Sequence, residues 1–175
     1  MIPLETKVLA GAPPAASEAG VIEGYASLFG AADLAGDVVA PGAFADSLRR
    51  RGVRGVRMLW QHDPAEPIGA WTALVEDARG LRVTGRLNLA VARAREIHAL
   101  LRQGAVDGLS IGYRVERARR ERAGLRRLER IDLWEVSVVT FPAQPGARVD
   151  AAKAGALAVS IRAATAGIVA SISSA

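Results

Sequence analysis

Hydrophobic and polar residues alternate along several short stretches of the 175-residue chain, and this period of two predicts β-strands. Glycine or proline separates most of these stretches, as expected of turns and loops. The predicted fold class is therefore α+β, with mostly antiparallel strands joined by hairpin-like connections. The predicted strands lie within residues 21–30, 37–39, 53–60, 68–77, 81–89, 106–122 and 125–141.

A helical period of hydrophobic residues is clearest over residues 90–104. Apolar positions recur there three and four residues apart, and Gly104 supplies a stop signal. A shorter helix is predicted over residues 42–52, where Gly52 ends the segment. The chain thus combines several strands with one or two helices.

Composition divides the chain into three parts. Residues 1–20 are rich in Ala, Pro and Gly and are predicted to be a flexible N-terminal segment. Residues 21–149 carry the strand and helix patterns and form the predicted folded domain. Residues 150–175 are alanine-rich with almost no charge, and we interpret them as a C-terminal tail, either a weak helix or disordered.

The overall composition excludes several classes of protein. Cysteine is absent, so there is no disulfide, thiol nucleophile or thiolate metal site. No apolar run reaches the roughly 18 residues of a membrane span, and no secretory signal is visible. No phosphate-binding glycine motif and no metal-ligand spacing occur, so we predict neither cofactor nor metal. We therefore expect a soluble, intracellular protein.

Ser110 is the first candidate nucleophile. It lies in the segment DGLSIGY, residues 107–113, where the predicted strand places Ser110 and Gly112 on one face. Either the serine is a small filler, or the glycine leaves space beside its hydroxyl. The letters GLSIG also match the G-x-S-x-G motif, but here the helix precedes the serine, so we reject an esterase of the α/β-hydrolase type.

A serine nucleophile requires a base and a group that orients the base. His62 follows a predicted strand within a polar loop, whereas His98 lies in the predicted helix, where a surface or core-edge position is the simpler interpretation. Glu135 occupies the middle of an apolar strand, so its carboxylate needs a partner, either a histidine or an arginine. Ser137 shares its face and is the rival nucleophile.

Residues 114–130 contain eight arginines and three glutamates, and they account for much of the net charge of +5. The simpler interpretation is a solvated hairpin. A nucleic-acid or acidic-partner surface is the alternative, although the run has no aromatic residue for base stacking. We therefore do not expect nucleic acid to be a partner.

An ordered set of motifs resembles the prohead proteases of tailed bacteriophages, the serine proteases that mature procapsids. The resemblance covers residues 23–149. It rests on the segments GYASLFG, GDVVAPGAF, LWQHDPAEPIG, GLRVTGRL, GLSIGY and LWEVSVVTFPAQPGARV. This resemblance implies a fold related to the herpesvirus assembly proteases: a mostly antiparallel β-barrel surrounded by a few helices.

The same resemblance implies the chemistry of the site. Ser110 is expected to be the nucleophile, His62 the general base and Glu135 the third member. The herpesvirus relatives have a second histidine in that third role, and His98 cannot take it because it precedes the serine. Ser110 is then expected to face an open groove across which a peptide lies.

The implied substrate and partner is the major capsid protein, whose N-terminal scaffold segment would be cleaved, together with the protease itself. The relatives often work as dimers, so a homodimer is compatible with the resemblance. The expected location is inside assembling procapsids of a phage or a phage-like gene-transfer particle, in the cytoplasm of the bacterial host. The alternative is a non-catalytic capsid-assembly or scaffolding protein with the same fold.

Overall fold

The architecture is a curled mixed β-sheet with two α-helices, and it is described by a computed structural model for residues 16–17 and 19–150. Two short 3₁₀ turns, Val53–Gly55 and Arg122–Gly124, lie in connections. In chain order the elements are β1 (Val21–Leu28), β2 (Asp37–Val39), α1 (Ala45–Arg51), β3 (Arg57–Trp60), β4 (Asp63–Glu76), β5 (Gly80–Leu87), α2 (Ala92–Gln103), β6 (Gly108–Arg120) and β7 (Arg126–Val139).

The predicted elements are present, with small differences at their ends. Helix α2 ends at Gln103. The next residue, Gly104, has a left-handed backbone with φ of 75° and caps the helix, as predicted. Strand β4 begins at Asp63 rather than after Pro67, so the predicted loop shrinks to the two residues Gln61 and His62. Alternation had predicted only the apolar half of this strand, because its first residues are polar and exposed.

The sheet has seven strands in the order β1-β5-β4-β3-β7-β2, and β6 pairs with the other edge of β7. Four of the pairings are antiparallel, but β7 runs parallel to both β2 and β3. Most pairings are thus antiparallel as expected, but the two parallel pairings of β7 make the curled sheet a mixed one. Alternation identifies a strand but does not reveal the direction of its neighbour, and the long β7 is the strand that accepts two parallel partners.

The last described residues connect the two ends of the curl. The amide of Leu109 in β6 donates to the carbonyl of Ala147 at 3.0 Å, and Gly24 of β1 forms a bridge with Val149. A Cβ atom at Gly24 would come within 2.2 Å of the carbonyl oxygen of Arg148, so this close approach requires glycine. A fully closed barrel remains a prediction.

The core consists of aliphatic side chains from the concave face of the sheet and from the helices. Helix α2 contributes Ile97 and Leu101, which are almost completely buried. In α1 the buried residue is Ser47, whose hydroxyl accepts a hydrogen bond from the amide of Leu133 at 2.8 Å. Strand β7 supplies the most deeply buried residues, namely Leu128, Ile131, Leu133, Val136 and Val138.

An ion pair between the buried Asp37 of β2 and the half-exposed Arg126 of β7 connects these two strands. The Asp37 carboxylate accepts two hydrogen bonds from the Arg126 guanidinium, at 2.7 and 2.6 Å, and one from the Tyr113 hydroxyl at 3.1 Å. The hydrogen bonds from Arg126 hold the pKa of Asp37 below its usual value, against the opposing effect of burial. Burial and the Asp37 charge raise the pKa of Tyr113.

The parts of the chain at either end lie mostly outside the described residues. Ala16 is buried in the core, but residues 1–15 and 18 of the predicted N-terminal segment and residues 151–175 of the predicted tail are not described. The division into segments 1–20, 21–149 and 150–175 thus stays a prediction. Within the described part of the chain, no helix is long and apolar enough to cross a membrane.

We expect Asp37→Asn to destabilise the fold at neutral pH by about 1–3 kcal/mol, because Arg126 loses a charged acceptor. The lowered folded-state pKa gives the carboxylate a stabilising effect that is complete above the unfolded value of about 4 and is lost as pH falls through the folded value. Denaturant unfolding from pH 7 down to pH 2 should therefore show the two proteins converging in acid. Glu96→Gln, at an exposed position of α2, is the control. If Asp37→Asn lowered the free energy of unfolding equally at every pH, a stabilising role of the ionised Asp37 would be contradicted.

Candidate active site

His62 lies in a tight turn between β3 and β4. Gln61 and His62 both have positive φ, 53° and 62°, as in the type I′ turns of two-residue hairpins. Neither residue is glycine, so the conformation costs free energy and needs support. The Gln61 amide donates to the carbonyl of Val138 at 3.0 Å, and its side-chain amide donates to the Thr140 hydroxyl at 2.7 Å. These contacts with the end of β7 fix the position of His62.

The pairing of β6 with β7 brings the other predicted residues to one face. Ser110 is opposite Ser137, and Gly112 is opposite Glu135. Directly opposed residues of an antiparallel pair point to the same side of the sheet. Ser110 and Glu135 therefore share a face, with one residue pair between their positions along the strands.

Glu135 is the group that joins the turn to the sheet. Its Oε1 lies 2.5 Å from Nδ1 of His62, and its Oε2 accepts a hydrogen bond from the Ser137 hydroxyl at 2.7 Å. The Ser137 oxygen in turn accepts the backbone N–H of His62 at 3.1 Å. An ionised carboxylate can only accept, so Nδ1 carries the proton and Nε2 is left as the lone-pair nitrogen. This tautomer is the one that a general base needs.

The space above Gly112 is occupied by the Glu135 carboxylate. A Cβ atom at position 112 would come within 2.0 Å of Oε1 and 2.7 Å of the carboxyl carbon. The expectation that the glycine opens space beside Ser110 for a substrate is therefore wrong. Glycine is required here because the Glu135 carboxylate that contacts His62 lies directly over residue 112.

Ser110 has a free hydroxyl. The residue is 5% exposed, and its hydroxyl forms no hydrogen bond with any described residue. None of the fully inaccessible side-chain polar atoms in the described part of the chain lacks a partner, so this oxygen retains access to solvent. His98 lies elsewhere, with Nε2 2.7 Å from the carbonyl oxygen of Ser17, which agrees with a core-edge position.

A groove of about 240 Å³ adjoins Ser110 along the outer edge of β6. Its walls come from β1, β2, β6 and the loops at residues 33–35 and 143–144. The lining residues are Ala26, Ser27, Asp33, Ala35, Asp37, Val39, Leu109, Ser110, Ile111, Tyr113, Ala143 and Gln144. Sequence reasoning did not assign a role to Asp33 or Gln144, because no local pattern links these distant loops to Ser110.

Two further predictions can be compared with the contacts. Glu135 has His62 rather than an arginine as its partner, which resolves the alternative that the sequence left open. The arginine-rich run forms the β6–β7 hairpin as predicted, and its glutamates pair with arginines: Glu129 with Arg117 and Arg119, and Glu116 with Arg50 and Arg130. No cluster of three metal-ligating side chains occurs among the described residues.

The family model described as Caudovirus prohead serine protease matches residues 6–160. The chain belongs to this family. It is 38% identical over 137 residues to the prohead protease of Enterobacteria phage HK97, an alignment that covers 77% of this chain. The chain spans 60% of the length of that relative.

Two solved structures show the same fold at low identity. The capsid assembly protease of bacteriophage T4 superposes with a TM-score of 0.57 at 13% identity, covering 70% of this chain and 82% of the T4 protein. The KSHV protease, solved in complex with a hexapeptide phosphonate inhibitor, gives a TM-score of 0.52 at 16% identity. The match covers 74% of this chain and 63% of the KSHV protein. The expected relation to the herpesvirus protease fold is thus confirmed.

We expect Gly112→Ala to disconnect His62 from Glu135 while leaving the fold intact. The added methyl group displaces the buried Glu135 carboxylate from its hydrogen bonds, so the free energy of unfolding should fall by about 1–3 kcal/mol. Proton NMR should show a low-field His62 Nδ1–H resonance in the wild type and none in the variant. Val115→Ala, at an exposed position of the same strand, is the control. Retention of the resonance in Gly112→Ala would contradict this account of the glycine.

Proposed function

We propose that this chain is a serine endopeptidase that matures a procapsid by cleaving the N-terminal scaffold segment of the major capsid protein. The observation that carries the proposal is the 2.5 Å contact between His62 Nδ1 and Glu135, on the face of the sheet that also holds the free hydroxyl of Ser110. Family membership and the named relative support this activity.

The proposed mechanism is acyl transfer. Nε2 of His62 accepts the Ser110 proton as the serine oxygen attacks the scissile carbonyl, and the imidazolium then protonates the leaving amine. Water hydrolyses the acyl-enzyme by the same route. Glu135 keeps the ring in the required tautomer and stabilises the imidazolium. Serine hydroxyls are weak nucleophiles, so this activation is essential.

Ser137 is not the nucleophile in this mechanism. It is completely buried, and its hydroxyl proton is already donated to Glu135. We assign it a positioning role, because its oxygen also holds the backbone of the strained turn at His62. One small side chain thereby fixes both the carboxylate and the histidine.

We assign stabilisation of the oxyanion, the negatively charged oxygen of the tetrahedral intermediate, to backbone amides of the loop that follows β7. Ala143 and Gln144 line the groove next to Ser110, and their N–H groups donate to no acceptor among the described residues. Gln144 anchors this loop, since its side chain exchanges hydrogen bonds with the amide and carbonyl of Leu28 at 2.6 and 2.9 Å. Such preorganised donors stabilise the charge that develops on the carbonyl oxygen.

The peptide substrate is proposed to bind along the outer edge of β6. The Leu109 amide points away from β7, towards Ala147, so by alternation the backbone groups of Ile111 and Tyr113 face the same way. No described strand pairs with that edge at these two residues. An extended peptide could complete it as an added strand, with its carbonyl presented to Ser110.

The finer aspects of the function are proposed on the same basis. The major capsid protein is the substrate and assembly partner, and self-cleavage and a homodimer accompany this role. The site of action is inside procapsids of a phage or phage-like particle in the host cytoplasm. The proposed activity involves no nucleic acid. The sheet is proposed to close into a complete barrel. The names of the HK97 and T4 relatives, a prohead protease and a capsid assembly protease, support this context.

Ser110→Ala should abolish processing of the capsid protein. The experiment measures the intact mass of the major capsid protein from the same phage genome after co-expression with the wild type or with the variant. Loss of an N-terminal fragment with the wild type alone is the expected result. Processing that survives in Ser110→Ala would contradict the assignment of the nucleophile. The absence of processing by the wild type would favour a non-catalytic assembly protein.

Ser137→Ala should lower kcat by up to about 100-fold while KM stays nearly constant, since misplaced catalytic groups affect the chemical step. Ser137→Thr keeps a hydroxyl and should recover part of the loss. Steady-state kinetics on a peptide that spans the mapped cleavage site provides the measurement. A rise in KM with unchanged kcat would show that Ser137 acts on binding instead.

A further inference from the structure

The groove beside Ser110 has an acidic wall. Two of its lining residues, Asp33 and Asp37, are carboxylates, and none of the lining residues is basic. The other walls are uncharged side chains of β1, β6 and the loop after β7. A ligand group in this groove therefore meets negative charge that no positive charge within the groove balances.

The two carboxylates are not equivalent. Asp37 is compensated by Arg126, whose guanidinium donates two hydrogen bonds to it from outside the groove. Asp33 uses Oδ1 to accept the backbone amides of Ala35 and Asp37, both at 2.8 Å, which shapes the turn before β2. No described residue forms an ion pair with Asp33, and its Oδ2 accepts no hydrogen bond from them. Its negative charge is thus available to a ligand.

A second observation at this groove also indicates a ligand. Ser27 is only 2% exposed, and its hydroxyl has no hydrogen-bond partner among the described residues. Every fully inaccessible side-chain polar atom in the described part of the chain has a partner, so the unpartnered Ser27 oxygen is accessible from the groove, where water or a bound molecule can satisfy it. Ser27 lines the same groove as Asp33 and Ser110. It offers a hydrogen-bond acceptor in the groove that the Asp33 carboxylate also lines.

The groove lies where side chains of a bound peptide would enter. In β6 the side chains of Leu109, Ile111 and Tyr113 point to the face opposite that of Ser110, and all three line the groove. A peptide added to the outer edge of β6 directs alternate side chains to the two faces. One residue close to the scissile bond is therefore directed into the groove, whose volume of about 240 Å³ suits a single side chain better than a larger ligand.

We propose that this groove is a specificity subsite for a cationic side chain, lysine or arginine, near the cleaved bond, and that Asp33 supplies its counter-charge. The inference rests on the proposed protease function and extends it to the chemistry of the substrate. The ammonium or guanidinium group pairs with Oδ2 of Asp33 and donates to Ser27, while the aliphatic stem of the side chain packs on Ile111. Substrates with an acidic residue at this position are excluded by charge.

Asp33→Asn is a sharp test because it removes only the charge. The asparagine Oδ1 still accepts the amides of Ala35 and Asp37, so the turn before β2 is preserved. The variant is prepared in the Ser110→Ala background, in the full chain, so that binding is measured without cleavage. n-Butylammonium serves as the probe of the side chain, and n-butanol, of the same length without charge, as its control.

Amide NMR shifts are followed as each probe is added to both proteins. The expected result is a saturable shift at Ser27, Ile111 and Gln144 with n-butylammonium, and an affinity lower by about fivefold in Asp33→Asn. n-Butanol should bind the two proteins equally. The absence of localised shifts, or equal affinity of n-butylammonium for both proteins, would overturn the subsite. Ser110-dependent cleavage of the capsid protein would remain in that case, so the two proposals fail separately.

Discussion

The carboxylate of Glu135 is the group on which the arrangement of the site depends. Glu135 is only 9% exposed, and a charge so deeply buried persists only where hydrogen bonds satisfy it. His62 and Ser137 provide those bonds, and Gly112 leaves room for the carboxylate because it has no side chain. The same contacts that make the buried charge tolerable also set the tautomer of the histidine. Stability and chemistry therefore share one set of interactions.

Strand β7 is the element that makes this possible. It pairs with β6 along one edge and with β2 and β3 along the other, so it joins the strand of Ser110 to the turn of His62. The turn itself is strained at two successive residues, and its hydrogen bonds go mainly to the end of β7. At the opposite end of β7, Arg126 pairs with Asp37 and secures β2. A rigid central strand thus supports a locally unfavourable backbone.

Sequence patterns predicted the elements, and a histidine as one of two candidate partners of Glu135, better than they predicted the surroundings of these residues. Alternation and glycine stops locate β6, β7 and α2. A carboxylate at position 135, in the middle of an apolar strand, also predicts that a partner lies nearby. Neither the parallel pairing of β7 nor the role of Gly112 could be predicted, because both depend on which strands become neighbours. Asp33 and Gln144 reach the groove through loops whose positions are set by the whole fold, so no local signal identifies them.

The central claim is that Ser110 is an activated nucleophile. Labelling with a fluorophosphonate tests it most directly, since only an activated serine displaces fluoride and forms a stable phosphonyl ester. Peptide mass spectrometry of the labelled protein should locate the adduct on Ser110, and His62→Ala should prevent its formation. An adduct on Ser137, or labelling of Ser110 that is unaffected by the loss of His62, would contradict the account.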